Sequence, residues 1–398
     1  MEKFKINFSN AFYIHELDID IIILVDGYYH IVGGLAVEDR IQEALKKYRL
    51  KIYNIYRARG AYLLETDCGL KLYKCFEGSK NRALFEHKVK EHLFQSGYSN
   101  TDLFVKTVDD DILSEDSTGT QYIMKNWFWG EECNLKELSQ IETAASNLAR
   151  LHCILTDVDF TKDQMEHNIS PDLLDTFDKR NRELKRVKSY IRNKRQKNEF
   201  ELSYLNYYDT FYEQGLIAAD RLLSSSYPSL HTEAVDRHMV CHGNYTYHNI
   251  IMLKNKSEAM TKAYVPPGWI NKQPVCATEL SHSGSNMIAT TNFEKAYIGL
   301  QISDLYQFVR KVMEKNDWDI MYGSNMIDAY DRVKPISREE LNILYLLLVY
   351  PEKFWKITNF YYNGKKSWIS GRNIQKLNSI GEQNAKKEMF MNKLESIL

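Results

Sequence analysis

Three short runs joined by glycine turns constrain this chain more than any other feature. LKIYNIYRA (50–58) alternates apolar and polar residues, and Arg59-Gly60 turns the chain. AYLLET (61–66) runs back, Asp67-Cys68-Gly69 turns again, and LKLYKCF (70–76) completes the set. Alternation at period two with tight glycine turns predicts an antiparallel meander. GSKNRALFEHKVKEHLFQSG (78–97) then switches to helical spacing, with Leu84, Val89 and Leu93 inward and Gly97 as a stop. Strand-like runs follow at 102–108, 111–115 and 120–127. A meander, one helix and further strands in about 80 residues describe a small α+β lobe.

Beyond Trp127-Phe128-Trp129-Gly130 the pattern becomes helical. LKELSQIETAASNLARLHCIL (135–155) is strongly amphipathic, 172–226 is mostly helical, and so are the last hundred residues, with turns near Pro335, Pro351 and Gly364. Within this region 178–197 holds ten Lys or Arg against two acids, while Phe177, Leu184, Val187 and Ile191 keep a narrow apolar seam. A solvated helix face and a docking surface both fit that segment. Ahead of the meander, VEDRIQEALKKY (37–48) carries a helical face of Val37, Ile41, Ala44 and Leu45. The expected organisation is an N-terminal extension (1–49), a β-rich lobe (50–128) and a helical lobe (129–398).

Composition narrows the function classes. The chain has 398 residues, 44% hydrophobic and 26% charged, which is ordinary for a globular protein. A net charge of −1 argues against a chain-wide electrostatic grip on nucleic acid. Six cysteines without a CxxC pair argue against a structural zinc and a disulfide framework, and predict a reducing cytosol. No signal peptide is expected at Met1-Glu2-Lys3, and the early apolar run Ile21 to Val25 is too short to span a bilayer.

VCHGNYTYHNII (240–251) introduces chemistry. A phosphotransferase of the protein-kinase type needs a strand lysine paired with a helix glutamate, and a catalytic-loop aspartate with an asparagine five residues later. It also needs a second, metal-binding aspartate downstream. The order of elements matches. Lys74 ends the third strand, with Lys71 as its competitor, and Glu86 or Glu91 on the next helix is the candidate partner. His242-Gly243-Asn244 with Asn249 reproduces the loop except at the aspartate. TNFEKA (291–296) stands at the metal position, with Asn292 for its aspartate and Glu294 retained. Asp304 suits a buried brace for the loop and His242 a structural role. The spacing therefore predicts an α+β, two-lobed protein-kinase-like fold: a small antiparallel-sheet N-lobe and a large helical C-lobe.

The same residues argue against the chemistry. An asparagine amide has no basic lone pair near neutral pH, so Asn244 can hydrogen-bond a hydroxyl without taking its proton. Loss of a positioned base costs about 10²–10⁴ in rate. Mg²⁺ prefers carboxylate and phosphate oxygens, and Asn249 and Asn292 offer neutral amides, with Glu294 the one acid left to rescue the site. RARG (57–60) has one glycine and no phosphate cradle. Arg57 and Arg59 are candidates for an anion there, beside the plainer reading of exposed turn arginines. With Lys74 and Glu86 they make up a vestigial nucleotide site. A loop-rich segment (254–286) separates Asn249 from Asn292 and reads as an inserted binding or assembly element.

GLKLYKCFEGSKNRALFEH, WFWGEECN, LARLHC, CHGNYTYHNIIM, TNFEKAYIGLQISDLYQFVRKVMEKNDWD and YPEKFWKITNFYYNGKKSW together resemble CotS-type spore coat proteins. These lie in the aminoglycoside-phosphotransferase and choline-kinase-like branch of the kinase fold. The likeness runs from about residue 50 to 390, and DLYQFVRKVMEKNDWD and YPEKFWKI…YYN are its most specific stretches. The resemblance implies synthesis in the mother-cell cytoplasm of a sporulating bacterium, deposition on the spore coat, and other coat proteins as partners. It implies neither nucleic acid nor a membrane span. No cofactor is then required, with ATP and Mg²⁺ as the doubtful candidates. The 27 tyrosines serve core packing or oxidative cross-linking in a coat. A pseudokinase acting through protein contacts is the leading expectation. An active or weakly active small-molecule or protein phosphotransferase using ATP is the alternative.

Overall fold

The computed structural model describes residues 21–25, 28–32, 39–58, 60–253, 288–363 and 371–398. Among these the chain divides into two compact units. One comprises Met1–Asn134 with Thr246–Ala296, the other Leu135–Tyr245 with Tyr297–Leu398.

The first unit is built on a seven-stranded sheet. Its strands are β1 (Ile21–Val25), β2 (Tyr28–Val32), β3 (Ile52–Ala58), β4 (Ala61–Thr66), β5 (Gly69–Cys75), β6 (Ser114–Glu115) and β7 (Gln121–Asn126), ordered β2-β1-β3-β4-β5-β7-β6. The pairs are antiparallel, with Tyr62 opposite Tyr73 and Leu72 opposite Lys125. Gly69 closes the second meander turn at φ 87°, a left-handed conformation that glycine adopts without strain. Two helices belong to this unit, α1 (Asp39–Leu45) and α2 (Lys80–Gln95). Ser79 starts α2 by accepting from the Arg82 N–H.

The described residues ahead of 50 do more than extend the lobe. β1 pairs with β3, and Ile41, Ala44, Leu45 and Tyr48 enter a core with Ile52, Ile55, Leu64, Tyr73 and Met124. The α1 face therefore covers one side of the sheet. The run 102–108 is not a strand. Leu103, Phe104 and Val105 are all buried, so its apolar residues do not alternate between faces, and its sheet contact is a single bridge from Phe104 to Lys125. A smaller sheet joins Gly130–Glu132, Ile250–Leu253 and Ile288–Thr290. Gly130 is required there, because a Cβ would meet the Met252 carbonyl oxygen at 2.5 Å. Unit membership changes after Asn134, again at Thr246 and a third time at Tyr297, not once at residue 128.

The second unit is helical: α3 (Leu138–Ile154), α4 (Lys162–Glu166), α5 (Leu173–Asn193), α6 (Glu199–Leu223), α7 (Tyr227–Asp236), α8 (Ile302–Lys315), α9 (Ile320–Asp331), α10 (Arg338–Val349), α11 (Glu352–Asn363), α12 (Gly371–Glu382) and α13 (Asn384–Glu395). Asp172 caps α5, and capping boxes at Asn198/Glu201 and Ser337/Glu340 start α6 and α10. The seam of α5 packs Leu184 and Ile191 into a core with Phe200, Tyr204, Tyr208, Phe211, Phe354, Leu377 and Ile380. Lys179, Arg182, Lys185 and Arg186 lie on its exposed side. Tyr204, Tyr227, Tyr245, Tyr330 and Tyr350 are fully buried in this unit, so much of the tyrosine excess is core packing. No described helix is long and apolar enough to cross a membrane. The segment 254–286 and the turn near Gly364 lie outside the described residues, as does Arg59.

Candidate functional site: a braced loop and a neutralised charge cluster

In the first unit β5 presents two lysines with different fates. Lys71 is buried and donates to the Cys68 carbonyl at 2.5 Å, back into the turn that precedes it. Burial lowers its pKa to about 8, against the pull of Cys68 and Asp67. Lys74 is partly exposed and ion-paired to Glu294.

Lys74 does not pair with Glu86, which corrects the expected lysine–glutamate couple. Glu86 is 1% exposed, and its Oε1 lies 2.7 Å from Lys125 on β7 and 2.5 Å from Lys90 one turn along α2. Register explains the exchange. Lys125 sits opposite Leu72 and Lys74 opposite Ile123 in the β5–β7 ladder. Lys125 is two residues from Ile123 along its strand, so it shares the face of the ladder that Lys74 occupies. Glu91 is no substitute partner, since it bonds His87 at 3.2 Å on its own helix. Arg57 is exposed at the end of β3.

The cluster continues inward. Lys90 meets Asp102 at 2.8 Å, and Lys125 lies 3.3 Å from Glu294. Burial opposes the charge on Glu86, but Lys125 and Lys90 outweigh it and hold the carboxyl at about 2. Burial likewise raises Glu294, and Lys125 with Lys74 reverses that, leaving its pKa lowered. Lys90 is pushed down by burial despite Asp102 and Glu86. Lys90, Lys125 and Asp102 were not legible as a site. A mid-strand or mid-helix lysine reads as solvated by default, and only the tertiary fold reveals that these are sealed.

Asn292, expected from the sequence at a metal position, adopts a left-handed conformation, φ 66° and ψ 59°, which asparagine tolerates better than most side chains. Its N–H donates to Asp102 at 3.1 Å, and its Nδ2 donates to the Asn249 Oδ1 at 3.3 Å. Its Oδ1 is buried without a partner. Arg82 of α2 clamps the same segment by donating to the Glu294 carbonyl at 2.8 Å and to the Ala296 carbonyl. These residues do not fit a divalent cation. The two amides bond each other, Glu294 is committed to Lys74, and no group of three or more His, Cys, Asp or Glu among the described residues is placed to hold a metal.

The brace lies in the second unit. Asp304 on the first turn of α8 is fully buried and accepts from the N–H of His242 at 2.5 Å and of Gly243 at 2.9 Å. His152 of α3 approaches the same carboxylate at 3.3 Å and meets the Tyr330 hydroxyl at 2.7 Å through its other nitrogen. Burial lowers the His152 pKa, more than Asp304 raises it. Gly243 turns at φ 74°, and the Asn244 N–H donates to His242 Nδ1 at 3.2 Å, so His242 shapes the loop with its ring. The loop passes from one unit to the other between Tyr245 and Thr246.

No protein-family model matches the chain, and no curated protein matches it. Solved structures do. An aminoglycoside phosphotransferase from Alicyclobacillus acidocaldarius superposes with a TM-score of 0.73 at 16% identity, over 92% of this chain and 97% of that one. The chain has a two-lobed, kinase-like fold, shared with that protein. An AMP-bound spectinomycin phosphotransferase matches at TM-score 0.60 and 9% identity, over 90% and 98% of the two chains. An amicoumacin kinase in complex with AMP-PNP and Ca²⁺ matches at 0.50 and 11%, over 90% and 94%. At these identities the likeness is one of fold.

Proposed function

We propose that this chain is a CotS-type spore coat protein: a kinase-like scaffold that has given up phosphoryl transfer and acts through protein contacts in coat assembly. The observation that carries the loss of chemistry is the Asn249–Asn292 amide pair, with Glu294 drawn onto Lys74. A transfer site would need that carboxylate for metal and that lysine for phosphate. Asn244 removes the base as well. The spore-coat half of the reading is supported by the resemblance of the stretches set out above. The exposed Lys179, Arg182, Lys185 and Arg186 of α5 favour contact with an acidic coat partner. Such a protein is made in the mother-cell cytoplasm and deposited on the spore.

One observation favours the alternative of a small-molecule or protein phosphotransferase. The fold is shared over nearly the full chain with proteins whose structures hold AMP or AMP-PNP, and a strand lysine is present in Lys74. Turnover separates the two. The purified chain should release no ADP above background from ATP and Mg²⁺ with aminoglycoside, choline or coat-extract acceptors, and measurable transfer rejects the pseudokinase. Deletion in the source organism should alter the protein composition of the spore coat. A coat of unchanged composition and morphology rejects the structural role.

A further inference from the structure

Within the second unit α5 and α6 form an antiparallel hairpin whose solvent side carries a basic ridge beside an acidic one. Asn181 donates to the Gly215 carbonyl at 3.0 Å, Lys188 reaches Asp209 at 2.6 Å, and Lys194 reaches Glu201 at 2.6 Å near the connection. These contacts fix the register and set Glu213 level with the Arg182–Lys185 turn. On α5 Arg182, Lys185, Ser189 and Arg192 recur at steps of three and four, so they share one stripe, and all are exposed. On α6 Asp209, Glu213, Leu216 and Asp220 do the same. The Lys188–Asp209 bridge, with the Asp209 side chain 82% exposed, puts both stripes on one side of the hairpin.

Neither ridge is neutralised where it stands. Arg182 pairs with Asp178 on its own helix at 2.8 Å. Among the described residues Lys185, Arg192 and Glu213 take part in no salt bridge. Apolar side chains stand among the acids of α6: Leu202 is 56% exposed, Leu216 47% and Ile217 44%. One such residue is ordinary on a surface, but three along one helix beside unpaired charge describe a face that something covers. The charge is also local. Residues 178–197 hold ten Lys or Arg against two acids in a chain of net charge −1, so the rest of the chain is net acidic.

We propose that a second copy of this chain covers this face, each copy laying its α5 on the α6 of the other. This narrows the acidic partner suggested for α5 above and rests on that reading of α5 as a contact surface. A two-fold axis running along the hairpin exchanges the two ridges without changing their register. Arg182 and Lys185 then meet the partner's Glu213 and the partner's Asp209, and the same pairs recur on the other side of the axis. The aliphatic stems of the α5 cations cover the exposed Leu216 and Ile217. A nucleic acid or an anionic lipid surface fits less well, because Asp209, Glu213 and Asp220 beside the cations would repel its phosphates. Two helices about 30 Å long and about 10 Å wide present on the order of 600 Å² per copy. That is below the ~800 Å² per partner of a standard interface, so the dimer is a weak one that forms at micromolar concentration.

The test is sedimentation velocity of the full chain over a concentration series. In low salt the wild type should dimerise with a micromolar dissociation constant, and about 0.5 M NaCl should weaken it at least roughly tenfold. Lys185→Glu and Glu213→Lys change exposed side chains, and each should weaken self-association at least roughly tenfold. Mixed in equal amounts, the two variants should recover the wild-type affinity, because every reversed charge then faces its opposite. Thermal midpoints verify folding, and the salt series needs no variant. A wild type that stays monomeric, variants that associate like the wild type, or a mixture no tighter than either variant alone overturns the second copy. Poly-L-glutamate separates that failure from a failure of the α5 reading. A monomeric wild type that binds it keeps α5 as a surface for a different acidic protein, and one that does not bind it rejects α5 as a contact surface too.

Discussion

Asp304 and the Asn249–Asn292 pair make an instructive contrast. In the second unit a fully buried carboxylate is kept, accepting two backbone N–H groups and the approach of His152. In the first unit, where a phosphotransferase has a metal-binding carboxylate, two amides hydrogen-bond each other. On the pseudokinase reading proposed above, the carboxylate that shapes the loop is kept and those that would act on a phosphate are replaced by amides. Retention therefore tracks architectural work. The Glu86 cluster makes the same point, because its buried charges are spent on one another.

Breaking the brace should cost most. Asp304→Ala strands the buried His242 N–H at roughly 1–3 kcal/mol and the half-buried Gly243 N–H at less, so urea unfolding should show a loss of about 3 kcal/mol. A loss below about 1 kcal/mol would mean that the loop holds itself, and the contrast would fail. Lys125→Met comes next. It leaves Glu86 with Lys90 alone, and breaking such a buried pair costs about 3 kcal/mol. Adding Glu86→Leu should recover part of it, since an apolar pair avoids the desolvation of both charges.

The pH dependence of stability sharpens the Glu86 half of the account. Its folded pKa, about 2, lies below its ordinary 4.5, so the stabilisation is present above about pH 4.5. It should fade as pH falls from 4.5 and be gone near pH 2. Lys125→Met should flatten this stretch of the acid-unfolding curve. A curve of unchanged shape in the variant would place the acid sensitivity elsewhere.

The smallest expected effect lies at the amide pair. Asn292→Asp sets a carboxylate beside Asp102 and costs Asn249 its amide donor. It should lower stability by roughly 1 kcal/mol in EDTA and regain part of that in Mg²⁺. A variant indifferent to Mg²⁺ would show that one carboxylate does not rebuild the metal site.

Much of the fold was legible in local signals. Glycine turns and period-two alternation set out β3, β4 and β5, helical spacing marked α2 and α3 with Gly97 as the stop of α2, and 172–226 read as mostly helical. The elements that escaped depend on distant partners. β1 and β2 gain their meaning by pairing beside β3, and 102–108 looked strand-like because three consecutive buried residues mimic a strand's apolar density. At the site, Asn244 could be named because the loop motif fixes its place after His242, and Asn292 and Asp304 because they follow it in the order a kinase-type site requires. Lys125 could not, because its partner Glu86 lies 39 residues away on another element. The Lys74–Glu294 pair joins residues 220 apart, and no local pattern reports such a contact.

The most direct test of a scaffold kept without its chemistry is calorimetric titration of ATP with and without Mg²⁺. The wild-type chain should bind ATP weakly or not at all, and Mg²⁺ should change the affinity by less than about twofold, because among the described residues Glu294 is held by Lys74 and the Asn249 and Asn292 amides bond each other. Tenfold or stronger tightening by Mg²⁺ in the wild-type chain would contradict the account.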